Sequence, residues 1–183
     1  NTFVRDTWFN NYETINQTNL IIDNLDVITS SDAYRAQIEG EAKFLRAMSY
    51  FELVRLWGLP YEAGTTNSQP GVPLRLIGYE DYSQPLPAER ASVEEIYAQV
   101  LSDLEDAYTN LPASNDIFAD RYAAQALRAR VYLQMQNYAA ARDAANDVIE
   151  NSGASLTGSF ADAFNNDTDS SEDLFDFQVT NQT

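Results

Sequence analysis

The sequence predicts an all-α fold of tetratricopeptide-like helical hairpins, with a long inserted loop and a short strand-like segment near the end. Three observations carry this reading. Apolar residues recur at helical spacing in five stretches. The second and fourth of these share one residue pattern. A very short turn at Asn137 joins the last two, so they must pack antiparallel.

The first helix is expected from about Arg5 to Leu25, on the stripe Trp8, Tyr12, Ile15, Asn19 and Ile22. Asn19 falls on the apolar face, so if buried it should bond a neighbouring backbone group. The second runs from about Asp32 to Trp57, with Ile38, Ala42, Leu45 and Ala47 inward, and Gly58 with Pro60 as its stop. The third starts at Ser92, which with Glu95 forms a capping box. Its stripe is Val93, Ile96, Val100, Leu104, Ala107 and Leu111, closed by Pro112. The fourth covers about Arg121 to Gln136 and the fifth Tyr138 to Asn151, with Gly153 beyond. Residues 1–183 thus read as one region: leading helices in 1–57, an inserted loop in 58–91, the helices of the repeats in 92–152, and an irregular, strand-like tail in 153–183. The loop contains five of the six prolines and is too long for a mere connector.

The shared pattern is Ala42-x-x-Leu45-Arg46-Ala47-x-x-Tyr50-Phe51 against Ala124-x-x-Leu127-Arg128-Ala129-x-x-Tyr132-Leu133. In a helix-hairpin repeat a small residue lets the partner helix approach, and an aromatic one turn on fills the groove. Ala129, Tyr132, Tyr138 and Ala141 carry that spacing in the later copy. Ala47 to Ala107 spans 60 residues where Ala129 to Val148 spans 19, so the first hairpin carries an insertion of 41 residues at its tip. Such hairpins stack to share a core, and their surfaces present partners more often than catalysis.

Composition narrows the function classes. The formal net charge of −17 argues against a nucleic-acid partner, which needs phosphate neutralisation by Lys and Arg. With no Cys and no His, disulfides, thiolate-zinc sites and imidazole-based triads are excluded. No run approaches the roughly 20 apolar residues of a membrane span. The apolar alternation Phe175, Phe177, Val179 reads as a strand without an evident partner in the chain. That, with a start at Asn1, leads us to expect a fragment of a longer protein.

An ordered set of motifs now points further. Trp8-x-x-x-Tyr12-x-x-Ile15-x-x-x-Asn19, Gly40-Glu41-Ala42-x-Phe44-Leu45-Arg46-Ala47-x-x-Tyr50-Phe51 and Leu56-Trp57-Gly58-Leu59-Pro60 stand in sequence. Tyr97 through Asp103-Leu104 to Leu111-Pro112, the Ala126–Leu133 helix and Ser171-Glu172-Asp173-Leu174-Phe175 follow. This series resembles the SusD/RagB family over nearly the whole chain. The resemblance implies a cell-surface lipoprotein of the outer membrane in Bacteroidetes-type bacteria, without catalysis. Such proteins capture oligosaccharides, or peptides in some branches, and act as a lid on a SusC-like TonB-dependent transporter. The lipidated Cys that anchors members of this family is absent here, as is much of the C-terminal half that supplies ligand contacts.

Sugar recognition sets aromatic faces against the C–H faces of pyranose rings, with amides, carboxylates and guanidinium groups bonding the hydroxyls. The inserted loop offers Tyr61, Tyr79 and Tyr82 near Asn67, Gln69, Arg75 and Gln84, although tyrosines also serve to pin a long loop to its helices. Trp8 with Asn11, and Trp57, are further candidates, with Trp8 equally fitted to the core. The acidic pairs Glu39/Glu41, Glu94/Glu95 and Asp103/Glu105 point to different faces of single helices, and are expected on the solvated surface; a two-carboxylate glycosidase site is not expected. Asn165, Asp167, Asp169, Ser170 and Asp176 echo a calcium loop without its glycine, and are read as a solvated acidic loop. No metal or cofactor is expected. The alternative to glycan capture is a tetratricopeptide-type adaptor that binds a protein or peptide segment in its groove.

Overall fold

The computed structural model describes residues 2–81, 89–164 and 170–176. Five helices follow one another: α1 (Thr2–Asp23), α2 (Asp32–Trp57), α3 (Val93–Asn110), α4 (Arg121–Gln134) and α5 (Tyr138–Asn151). A 3-10 turn at Leu25–Val27 joins the first two. Helix α2 packs against α1 on one side and α3 on the other, and α4 pairs with both α3 and α5. The expected boundaries of α2, α3 and α5 hold. Helix α1 begins earlier than expected, and α4 stops two residues sooner, because Gln136 takes a left-handed φ of 61° to enter the turn.

Local chemistry fixes the helix ends. Ser31, Asp120 and Asn137 each accept a bond from a backbone N–H of the first turn of α2, α4 and α5. At α3 both halves of the Ser92–Glu95 capping box are formed. The exposed Glu95 carboxyl lies below its ordinary range because the Ser92 side chain and backbone both donate to it.

The core is the α3 stripe packed into α2: Val93, Ile96, Val100, Leu104, Ala107 and Leu111 are all buried against Ala47, Tyr50, Phe51 and Val54. Ala47 and Ala107 are fully enclosed, as the close helix approach requires. In the second hairpin Ala141 and Val148 are buried, whereas Tyr138, the first residue of α5, lies exposed beside the turn. Tyr132, the aromatic one turn after Ala129, is half-buried.

The inserted segment holds a small antiparallel pair absent from the sequence reading: β1 (Pro70–Pro73) and β2 (Arg90–Ser92). These strands are too short to show alternation, and prolines bound β1. They seat the returning chain at the start of α3. The expected strand at the tail is not seen at Phe175, whose ring packs edge-on against Phe44 at 5.1 Å; Phe177 and Val179 lie outside the described residues. Among the described residues no helix is long and apolar enough to cross a membrane.

Candidate functional site

Helix α1 carries a polar stripe, Asn16, Asn19 and Asp23, at helical spacing toward the inserted segment. Its side chains receive the backbone of residues 75–79 much as a strand would. The Asn16 amide donates to Tyr79 O at 2.9 Å, and its carbonyl accepts from Tyr79 N at 2.8 Å. Asn19 Nδ2 donates to Arg75 O and Ile77 O, at 3.0 and 3.3 Å. Asp23 accepts from Gly78 N at 2.7 Å. The backbone partner expected of Asn19 is thus present, and the residue is fully enclosed.

From the opposite side α2 contributes Tyr50. Its hydroxyl donates to Arg75 O at 2.7 Å and accepts from Arg75 N at 2.6 Å. Burial pushes this phenol up to about 12, so it remains a donor across the neutral range. Asn19 Oδ1 in turn accepts from Arg46 Nη1 at 2.8 Å. Arg46 forms a bidentate pair with Asp103, its Nε and Nη2 donating at 2.8 and 2.7 Å. The result is a continuous polar path from α3 through α2 and α1 to the loop backbone.

Between α1 and this clamped segment opens a cavity of about 340 Å³, lined by Phe9, Tyr12, Glu13, Asn16, Arg75 and Tyr79 with Ile15 and Asn19 at its base. Phe9 is 59% exposed on its wall. The Tyr12 hydroxyl donates to Pro73 O at 2.8 Å, and the Arg75 guanidinium lies over the Tyr12 ring at 5.2 Å. The cavity therefore sets aromatic faces beside the Arg75 guanidinium, groups that grip a polyhydroxylated ring, while the Asn16 and Asn19 amides hold the loop backbone.

The sequence candidates divide between this cavity and the packing around it. Tyr79 lines the cavity. Trp8 and Trp57 come together edge-on at 5.2 Å, with Tyr12 at 4.9 Å from Trp8, and all three rings are half-buried on the core. Asn11 donates to Thr7 O within its own helix. Tyr61 packs on Tyr97 at 4.9 Å, away from the cavity lining. Tyr82 and Gln84 lie outside the described residues. Asn67 and Gln69 hold the loop itself: Asn67, at a left-handed φ of 45°, bonds Glu62 on both backbone groups, and Gln69 reaches Pro60 O.

Phe9 was missed. An apolar ring off the buried Trp8–Tyr12–Ile15 stripe was the available signal, since such a residue has no core to enter. The acidic pairs need one correction. Asp103 is buried in its pair with Arg46 and does not lie on the solvated surface. Its carboxyl is raised by burial despite Arg46. Glu39 pairs with Lys43, Glu41 accepts from Gln37 and Asn115, and Glu105 pairs with Arg128. Of the calcium-like loop, Asn165, Asp167 and Asp169 lie outside the described residues. Among those described, no group of three or more His, Cys, Asp or Glu is placed to hold a metal.

Residues 2–133 match the family model described as SusD-like, starch-binding and associating with the outer membrane. The chain belongs to the SusD-like family. It is 31% identical over 174 residues to SusD-like protein P25 of Formosa agariphila, a match covering 88% of this chain and 29% of that one. A solved SusD superfamily protein from Bacteroides thetaiotaomicron is 34% identical with a TM-score of 0.84, over 94% of this chain and 38% of its own. A third relative, solved with a xylogluco-oligosaccharide, is 25% identical with a TM-score of 0.72, over 86% of this chain and 31% of its own. This SusD-like chain thus spans about a third of the length of these relatives. The SusD-like family consists of binding proteins without catalysis, and its helical-repeat fold is the one found here.

Proposed function

We propose that this chain forms part of a cell-surface protein that binds an oligosaccharide without transforming it and passes it to a SusC-like TonB-dependent transporter in the outer membrane. The observation that carries the reading is the α1–loop cavity, which sets Phe9, Tyr12 and Tyr79 beside the guanidinium of Arg75. The relative solved with a xylogluco-oligosaccharide supports it through a shared fold. Binding is capture on a rigid platform. Tyr50, Asn16 and Asn19 fix the loop backbone before any ligand arrives, so little ordering entropy remains to oppose binding.

The test is glycan-array binding and calorimetry on the full-length protein, wild type beside a Phe9→Ala/Tyr79→Ala variant. A stacked ring contributes about 0.5–1.5 kcal/mol beyond its buried area, so the double variant should lose at least tenfold in affinity. A Tyr61→Ala variant should bind as wild type. Wild-type protein that binds no glycan, and recovers no transporter when purified from outer membranes, would sink the reading.

A further inference from the structure

Among the described residues, Arg75 is placed unlike the other cations beside loops and helices. Arg46 and Arg128 are ion-paired, and the guanidinium groups of Arg90 and Arg121 are bonded to backbone carbonyls. Arg75 lies within 4.0 Å of no carboxylate among the described residues, although it borders a cavity, and its Nε is buried without a hydrogen-bond partner. Glu13 borders the same cavity from an exposed position and does not reach it.

The rest of Arg75 is held closely. Its N–H and C=O are both taken by the Tyr50 hydroxyl, its C=O also by Asn19, and its guanidinium rests on the Tyr12 ring. A chain of net charge −17 has carboxylates in excess, yet none among the described residues pairs with this group. Arg128 Nε is likewise buried without a partner, but its guanidinium is paired with Glu105, so what distinguishes Arg75 is an unneutralised guanidinium at a cavity wall. A planar guanidinium matches the two oxygens of a carboxylate or sulfate.

Resting on the glycan-capture reading, we infer that the α1–loop cavity takes an acidic glycan, one whose uronic carboxylate or sulfate ester pairs with Arg75. The shared chemistry is an oxyanion on a sugar ring, with the ring against Phe9 and Tyr79. Screening at physiological salt confines repulsion from the chain's other negative charges to those within about 8 Å.

An array of carboxylated and sulfated oligosaccharides, each beside its methyl-esterified or desulfated counterpart, tests this with the full-length protein. Wild type should prefer one acidic class over its neutral counterpart by about tenfold or more. The class retained tells uronate from sulfate. Arg75→Gln should abolish the preference, costing acidic members about tenfold more affinity than neutral ones, and Arg75→Lys should restore part of it. Binding to neutral members alone, or equal losses on acidic and neutral members in Arg75→Gln, would overturn the inference and leave glycan capture standing. Binding to no member would overturn the inference, and, with no transporter recovered from outer membranes, glycan capture as well.

Discussion

At the residue scale the decisive group is the buried pair of Arg46 and Asp103. Removing one partner leaves the other charged in a dry interior, a loss of about 3–5 kcal/mol. Asp103→Ala should therefore be among the most destabilising single changes in chemical denaturation. An Arg46→Met/Asp103→Leu double variant should cost less than the sum of its singles. Its loop would still lose the Asn19–Arg46 bond, so weakened ligand binding with recovered stability is the expected combination. A second residue sets acid sensitivity. Burial alone would raise the Asp147 carboxyl, but donations from Tyr108, Asn151 and Gln125 hold it below its usual range. A depressed folded value means its contribution is present above the unfolded value, near 3.9, and fades as pH falls through the lower folded one. Stability measured against pH should show the gap between wild type and Asp147→Asn closing below about pH 4.

At the element scale the contact between α2 and the end of α3 depends on a residue without a side chain. A Cβ on Gly40 would sit 2.9 Å from Leu111 Cγ, and Leu111 is buried. Alanine gains about 1 kcal/mol in helix propensity, against about 1–3 kcal/mol for overpacking. Gly40→Ala is expected to lower the unfolding midpoint; a raised midpoint would show that the α3 terminus yields. The helices themselves were legible in the sequence. Their apolar periods follow from burial on one face, and the Ser92 box is a local device that needs no tertiary context. Arg46 and Asp103 were not legible as buried groups, because charge on a helix reads as solvent-facing. Only the packing of α1 and α3 on two sides of α2 encloses them. The cavity was half legible: Tyr79 and Arg75 stood in the inserted loop, but Phe9 and Asn16 come from about sixty residues earlier. Spacing within either segment cannot show that they meet.

At the scale of the whole molecule, apolar side chains remain uncovered at one end. Leu133, Tyr138 and Ile149 on the α4–α5 hairpin are each more than half exposed, with Leu156 and Phe160 beyond them. Contiguous apolar surface favours association, while a net charge of −17 opposes it through mutual repulsion. This chain prepared alone should therefore associate more as salt rises and screening weakens that repulsion. Sedimentation velocity across a salt series checks this. A Leu133→Gln/Ile149→Gln variant should stay monomeric throughout.

The short pairing of β1 with β2 has a consequence for how such a protein can change over evolutionary time. It pins both ends of residues 74–89 to the helical frame, at the stop of α2 and the start of α3. The entropy of closing a loop grows only logarithmically, about 0.6 kcal/mol for each doubling in length. The backbone of residues 75–79 is held by Asn16, Asn19, Asp23 and Tyr50 and must keep its register, so the room for change lies after it. There the chain can be lengthened, shortened or rewritten to suit a new ligand while the helices beneath continue to fold unaltered.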